Sequence, residues 1–388
     1  MLIELDYFKK FKCLGSDCSN TCCEGLSVHA KQEELDKINN KITKLSNKNK
    51  FDHFLKTYKK IKCSNKEVHL LVDKNKTCSF FDKDKLCKLH KHIHHSILPS
   101  ECQEFPRRFI YFPESELNSG SFGCPEISRM ALFQNRMLDV VVDGKKRNSS
   151  IINFLNLNEN HNNQLNSYAI NGQKIINLIY KLFLEKKKIH LILRVLNQVA
   201  IDREYFESNP SKIEEIFFFI FDALKKEETM HENSDNFQLL FFKNFFSSIV
   251  QDDLHPPIKK ILEKNCQNFF DNRQESMLKF KRNRILFDEL LKKYPFFEHN
   301  YFINEIFGKF HCFTRKSLNS QEMIGKTILI YSISRFFCIT SLSANNKKNI
   351  EHNYSKILSQ TTKCFEGIDF KKMIESNNNI FSELIFLF

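Results

Sequence analysis

The chain has 388 residues, 41% of them hydrophobic and 27% charged, a balance that excludes disorder throughout and any collagen-like or mucin-like class. Lys and Arg number 59 against 46 Asp and Glu, a formal charge of +13, but the lysines are scattered rather than striped, so no nucleic-acid partner is expected. Nine Gly and eight Pro are few, which favours helices over a turn-rich all-β fold.

At the N-terminus, Met1 to Lys10 carries Glu4, Asp6, Lys9 and Lys10 and has no apolar stretch of a secretory signal. No segment reaches the ~18 uninterrupted apolar residues of a spanning helix, so no membrane span and a cytoplasmic location are expected. In a reducing compartment a dense cysteine cluster holds metal more often than disulfides. Thirteen cysteines are present and nine lie in the first 124 residues.

Leu35, Ile38, Ile42 and Leu45 recur at helical spacing and predict an amphipathic helix. Val68 to Val72 predicts a short strand, and Asp82 to Leu86 a tight turn. The polar stretch Asn156 to Asn166 predicts a linker. Beyond it the pattern is helical: Ile175, Ile176, Leu178, Ile179, Leu182 and Phe183, then a helix start at Pro210 leading into Ile213, Ile216, Phe217 and Phe221. Phe237 to Val250, Ile285 to Leu291, Tyr301 to Phe307 and Ile328 to Phe337 continue it. The fold expected is mainly α. A cysteine-rich, metal-binding N-terminal part with short irregular β elements (residues 1–155) precedes a helical part (residues 167–388).

The front cysteines read Cys13-x4-Cys18-x3-Cys22-Cys23, then Cys78-x8-Cys87-x14-Cys102, then Cys124. Thiolate is the soft donor that zinc and iron–sulfur clusters take. Thr21-Cys22-Cys23-Glu24 and Ser100-Glu101-Cys102-Gln103 each fit a capping box, which would put these cysteines in a first helical turn where thiol pKa falls. Adjacent Cys22 and Cys23 diverge, so one is expected to serve a second centre or a nearby bridge. The absence of Cys-x2-Cys argues against zinc ribbons and thioredoxin-like sites, and Gly25 stands where a Cys-x3-Cys-x2-Cys radical signature would need its third cysteine. His90, His92, His94 and His95 read as an exposed helix rather than a metal site. Cys266, Cys312, Cys338 and Cys364 read as small core residues. Glycine-rich phosphate loops and the Gly-x-Ser-x-Gly elbow are missing.

In order, FKCLGSDCSNTCCEGLSV, CSFFDKDKLCKLHKHI, LPSECQEFPRRF and GCPEISRMAL resemble the flagellin lysine-N-methylase family, which is related to proteins with a zinc- or iron-chelating cysteine domain. The resemblance implies N-methylation of flagellin lysines with S-adenosylmethionine. It also implies a [4Fe–4S] cluster, with Cys13, Cys18, Cys22, Cys23, Cys78, Cys87, Cys102 and Cys124 as metal ligands. Cys63 lies outside the pattern. Glu24-Gly25-Leu26 stands where the family commonly has a Trp after the Cys-Cys pair. Arg107 and Arg108, close to Cys102, are candidates to bind the cofactor by holding a carboxylate, or to neutralise cluster charge, and Glu126 a candidate helix-start carboxylate and proton acceptor. Two other readings are a zinc-stabilised interaction module and an iron–sulfur electron-transfer protein without methylation activity.

Overall fold

The computed structural model describes residues 1–62, 68–72, 77–112, 115–146, 167–226, 238, 241–243, 245–246, 263, 273–309, 320–342 and 349–366. The linker Asn156 to Asn166, Cys63, Cys266 and Cys312, and most of Phe237 to Val250, lie outside the described residues. The architecture is mostly helical with a small mixed sheet. The β part is more regular than the sequence suggests. Strands β1 (Leu2–Leu5), β4 (Arg107–Phe112), β5 (Ser115–Gly120), β6 (Val140–Val142) and β7 (Lys145–Lys146) form one sheet in the order β4-β5-β1-β6-β7. Central β1 runs parallel to β5 and antiparallel to β6. It is buried on both faces: Ile3 and Leu5 enter the core, and Glu4 is buried while bonded to Lys9 at 2.9 Å. A second, two-stranded sheet pairs β2 (His29–Lys31) with β3 (Val68–Leu70).

Two hydrophobic clusters organise the chain. The smaller holds Val28, Ala30, Phe80, Leu89 and Leu98 around α1 (Gln32–Thr43) and α2 (Asp52–Lys62). Leu35, Ile38 and Ile42 of α1 are fully buried there, as their spacing predicts. The helices α3 (Lys88–His92) and α4 (Ser100–Glu104) close its edge. The larger cluster joins the five-stranded sheet and α5 (Pro125–Leu132) to the C-terminal helices. These are α6 (Ser167–Leu184), α7 (Ile189–Ile201), α8 (Arg203–Ser208), α9 (Ile213–Lys226), α10 (Arg273–Lys293), α11 (Phe297–Gly308), α12 (Ser320–Ser341) and α13 (Ile350–Glu366). Pro210 begins the turn that leads into α9. Cys338 and Cys364 are core residues, as expected.

Among the described residues one helix, α12, is long and apolar enough to cross a membrane by length and composition, and 83% of its most apolar window is buried inside the protein. It is the central core helix, packed against α13, α10 and α7.

A buried polar junction fixes the sheet on α11. Tyr7 Oη donates to Asn304 Oδ1 and accepts the Gly120 amide at 2.8 Å, while Asn304 Nδ2 donates to the Gly120 carbonyl at 2.9 Å. A Cβ on Gly120 would stand 2.7 Å from Ile127, so only glycine permits this approach. Tyr7→Phe leaves the Gly120 amide and the Asn304 oxygen without their partner. The expected loss is about 1–3 kcal/mol in urea unfolding; an unchanged midpoint would mean that the junction does not carry stability.

Candidate metal centre

Four separate chain segments carry the front cysteines to one corner of the protein. The first is a run of tight turns. Gly15, at φ 59°, lets the chain reverse after Cys13, and the Cys18 amide donates to the Gly15 carbonyl at 3.2 Å. Thr21 to Glu24 forms a turn, with the Glu24 amide on the Thr21 carbonyl at 3.3 Å and the Cys23 amide on Thr21 Oγ1 at 3.3 Å. No helix starts there, so the predicted capping box at Thr21 is corrected: the Thr hydroxyl closes a turn on the second residue after it, because Gly25 at φ 87° bends the chain away.

The second segment is laced to the first. The Cys78 amide donates to the Cys23 carbonyl at 2.9 Å, and Glu24 bridges to Thr77. The turn predicted at Asp82 to Leu86 is present, with Lys85 at φ 64° and Phe81 bridged to Cys87. Cys87 is the N-cap of α3. Cys102 lies in the first turn of α4, as expected, but Pro99 rather than Ser100 is the N-cap; its carbonyl accepts the Cys102 amide at 2.9 Å. The Ser100 amide goes to Glu34 Oε1 at 2.8 Å instead. Cys124 caps α5 after a turn from Ser121. Among the described residues Cys87 and Cys124 sit at helix N-caps, which the capping-box pattern does not select; of the cysteines it places in a first helical turn, Cys102 is there and Cys22 and Cys23 are not. Pro125 at the first helical position was the available signal for Cys124.

The sulfurs fall into two neighbouring sets. Cys23 stands between Cys22 and Cys87 within hydrogen-bonding reach of both. Hydrogen bonds with Cys23 lower the pKa of Cys22 and Cys87, with the amides of His90 and Leu89 assisting at Cys87. Cys23 itself is pushed far up. Cys78 is raised to about 11 by burial and then by the charges of Cys87 and Cys22. Cys102 is raised for the same reasons, with Cys78 the strongest neighbour. The second set is Cys13, Cys18 and Cys124, which act on one another; Cys124 is raised to about 12, first by burial. Cys18 also feels Cys22, which links the sets. All eight candidate cysteines are free thiols. Among the described residues no three His, Cys, Asp or Glu side chains stand ready to coordinate a metal.

Sequence reasoning missed Lys363 of α13. Its ammonium is buried against these thiols and donates to the carbonyls of Thr21 at 2.6 Å, Glu24 at 3.1 Å and Asn20 at 3.3 Å. Burial lowers its pKa, while the charges of Cys22, Cys18 and Cys124 work in the opposite direction. One turn earlier Ser359 donates to the Gly123 carbonyl and accepts from Asn20, both at 2.7 Å. One face of α13 therefore ties together the turn of Cys22 and Cys23 and the turn before Cys124. Lys363 lies more than 230 residues from any of these cysteines, so no local pattern could reveal it.

The remaining candidates are placed elsewhere. Arg107 lies over the rings of Phe11 and Phe8 at 5.2 and 6.0 Å. Arg108 donates to Glu305 at 2.9 Å and to Ser121 Oγ at 3.4 Å. Both line a cleft of about 610 Å³ beside β4. Glu126 is a helix-start carboxylate that accepts from Arg129 Nε at 2.8 Å and Nη2 at 2.6 Å, which occupies it as an ion pair. His90, His94 and His95 are exposed, and His92 packs edge-on against Phe51.

No protein-family profile and no solved structure matches the chain. It is 28% identical over 127 residues to a Salmonella typhimurium protein named Lysine-N-methylase, covering 32% of this chain and 31% of that one. A protein of the same name from Salmonella choleraesuis is 28% identical over 123 residues, covering 31% and 30%. The Flagellar biosynthetic protein FliU of Salmonella muenchen is 28% identical over 135 residues, covering 31% of this chain and 71% of the relative. The match thus spans about a third of the length of the two lysine-N-methylases. Over about a third of its own length the chain is distantly related to proteins that carry lysine-N-methylase and flagellar-biosynthesis names.

Proposed function

We propose that this chain is a lysine N-methyltransferase that uses S-adenosylmethionine to methylate lysines of flagellin, with a thiolate-held iron–sulfur cluster, [4Fe–4S], at its cysteine corner. The reading is supported most by one observation: cysteines from distant segments of the chain come near one another, with Cys18, Cys22 and Cys124 beside the buried Lys363, in a chain distantly related to proteins named lysine-N-methylase.

The donor set fits such a group. It is all sulfur, and Cys22 and Cys87 are already lowered in pKa, although no three of the described side chains yet stand at coordinating distance. Cys22, Cys23 and Cys87 lie within hydrogen-bonding reach of one another through Cys23, and a thiophilic metal bound there would displace their thiol protons. Cys78, Cys87 and Cys102 with one of the adjacent pair Cys22 and Cys23 would hold one centre, and Cys13, Cys18 and Cys124 border it. A bound cluster would supply an electron. The chain's own residues order the ligands: α13 anchors two cysteine turns, and α3 and α5 direct amides at Cys87 and Cys124. Methyl transfer breaks the bond from sulfonium sulfur to methyl carbon and forms a carbon–nitrogen bond to the lysine. The ammonium first gives up a proton, because only the free amine has a lone pair to attack.

Protein purified without air is expected to be brown, to absorb near ~400 nm and to contain iron and labile sulfide. Cys87→Ser is expected to lose most of both. Colourless protein with stoichiometric zinc would replace this reading with the zinc-held module. Incubation with S-adenosylmethionine and flagellin should add about 14 Da per methyl on lysine. Unshifted flagellin beside an intact, reducible cluster would leave an electron carrier.

A further inference from the structure

A four-thiolate centre drawn from Cys78, Cys87, Cys102 and one of the pair Cys22 and Cys23 leaves the other of that pair without a task. Cys23 stands within hydrogen-bonding reach of Cys22 on one side and of Cys87 on the other. Thiols this close have a second chemistry besides metal binding, because oxidation joins them. Cys22 and Cys23 are poor partners for each other. Neighbouring Cα atoms are ~3.8 Å apart across a trans peptide, short of the ~4.4–6.8 Å that disulfides usually span. Cys87 comes from a separate stretch of the chain and carries no such restriction.

The backbone holds Cys23 and Cys87 on one frame. The Cys78 amide donates to the Cys23 carbonyl at 2.9 Å, and the bridge of Glu24 to Thr77 lies beside it. The Phe81 amide donates to the Cys78 carbonyl at 3.0 Å, Phe81 is bridged to Cys87, and the Lys88 amide donates to the Phe80 carbonyl at 2.8 Å. Both cysteines are thus tied to the same tight turn, and both pack on the smaller hydrophobic cluster that contains the buried Phe80. Joining the two sulfurs asks for side-chain rotation rather than chain displacement. Neither is sealed off: Cys23 and Cys87 are partly exposed, whereas Cys78 is buried, so a small oxidant reaches the first two.

We propose that Cys23 and Cys87 form a reversible disulfide when the metal-free chain meets hydrogen peroxide, and that this bond closes the cysteine corner to metal. One thiolate attacks a peroxide oxygen; the oxygen–oxygen bond breaks, leaving a sulfenic acid and hydroxide. The other thiol attacks the sulfenic sulfur, the sulfur–sulfur bond forms, and the sulfenic oxygen leaves as water. In sum two thiols and one peroxide give one disulfide and two waters: the sulfurs lose two electrons and the peroxide gains them. A dithiol reverses the bond by exchange and ends as its own disulfide. The bond withdraws Cys23 and Cys87 together, so a centre that uses Cys87 assembles only after reduction. For that consequence the inference rests on the proposed metal centre; the bond itself follows from where the two residues stand.

The test takes the full chain, reduced and freed of metal by a chelator without air, and adds one equivalent of hydrogen peroxide. Remaining thiols are blocked with N-ethylmaleimide. Mass spectrometry of the digest is expected to show the peptide of Cys87 joined to that of Cys22 and Cys23, about 2 Da lighter than the two reduced peptides together. Fragment ions from the unaltered chain assign the bond to Cys23. The link should persist in Cys22→Ser and vanish in Cys23→Ser, with circular dichroism checking that both variants are folded. Zinc, the metal probe, should bind the oxidised chain at least tenfold more weakly, and treatment with dithiothreitol, removed before the measurement, should restore it. A bond between another pair instead, thiols that stay unlinked or run on to sulfinic acid, or unchanged zinc binding after oxidation would each overturn the proposal. A Cys23–Cys87 bond in a chain that takes up no metal even when reduced would support the bond and overturn the proposed metal centre; metal uptake by a reduced chain that peroxide leaves unlinked would overturn only the disulfide.

Discussion

Glu305→Gln is expected to remove about 3 kcal/mol of stability at pH 7, near the low end of what breaking a buried ion pair costs. Glu305 is buried at the contact of α11 with the sheet, its Oε1 2.9 Å from Arg108 and its Oε2 2.6 Å from Lys309. Burial alone would raise the carboxyl pKa, but Arg108 and then Lys309 reverse that and hold it at about 2 against the usual 4.5. A pKa lowered by folding adds stability that is complete above about 4.5 and disappears as pH falls through about 2. The depression of about 2.5 units corresponds to roughly 3 kcal/mol. The amide isostere keeps the shape and drops the charge, leaving two cations side by side. Urea unfolding at pH 7 should show the loss, and the gap between the two proteins should close on acidification from pH 5 to pH 2. Glu305→Gln combined with Arg108→Gln should recover part of it, since one surplus cation is gone. A gap below about 1 kcal/mol, or one constant across that pH range, would mean that solvent in the cleft already screens the triad.

The sequence carried the helices well and the sheet poorly, for a physical reason. Helices such as α1 and α6 advertise themselves by apolar residues repeated over three or more turns. Strand β1 has four residues, too few for the Ile3-Glu4-Leu5 alternation to mark it; pairing to β5 and β6 makes it a strand. At the cysteine corner, the residue types and the turn at Asp82 were legible because thiols and turn formers are local signals. Cys102 in a first helical turn was legible too, but Cys87 and Cys124 as N-caps were not, and the Thr21 pattern looks like a cap until Gly25 sets the backbone. Arg107 and Arg108 looked equivalent in sequence. Strand alternation separates them, one stacking on rings at the surface and the other turning in to Glu305.

Lys363→Met is expected to lower stability by about 2–3 kcal/mol and to remove most bound metal. Methionine fills a similar volume, so the change isolates the ammonium. Without it the carbonyls of Asn20, Thr21 and Glu24 lose their shared donor, and hydrogen bonds from a charged group are worth about 1.5–3 kcal/mol each. Part of this is regained because an ammonium no longer has to be buried, and part because the freed turn can reach water. The turn carries Cys22 and Cys23, so its release moves two sulfurs away from Cys78 and Cys87 at once. Lys363→Arg should not restore metal: the lysine stem is already confined by Gly25, where even a Cβ would stand 3.3 Å from its Cδ, and a guanidinium needs more room than the three carbonyls leave. Metal per chain after anaerobic purification, compared with the urea midpoint of metal-free protein, separates the two effects. A purely structural lysine would shift the midpoint and leave the metal stoichiometry of folded protein intact. Loss of metal from protein that still unfolds cooperatively shows that α13, from the far end of the chain, sets the geometry of the front cysteines.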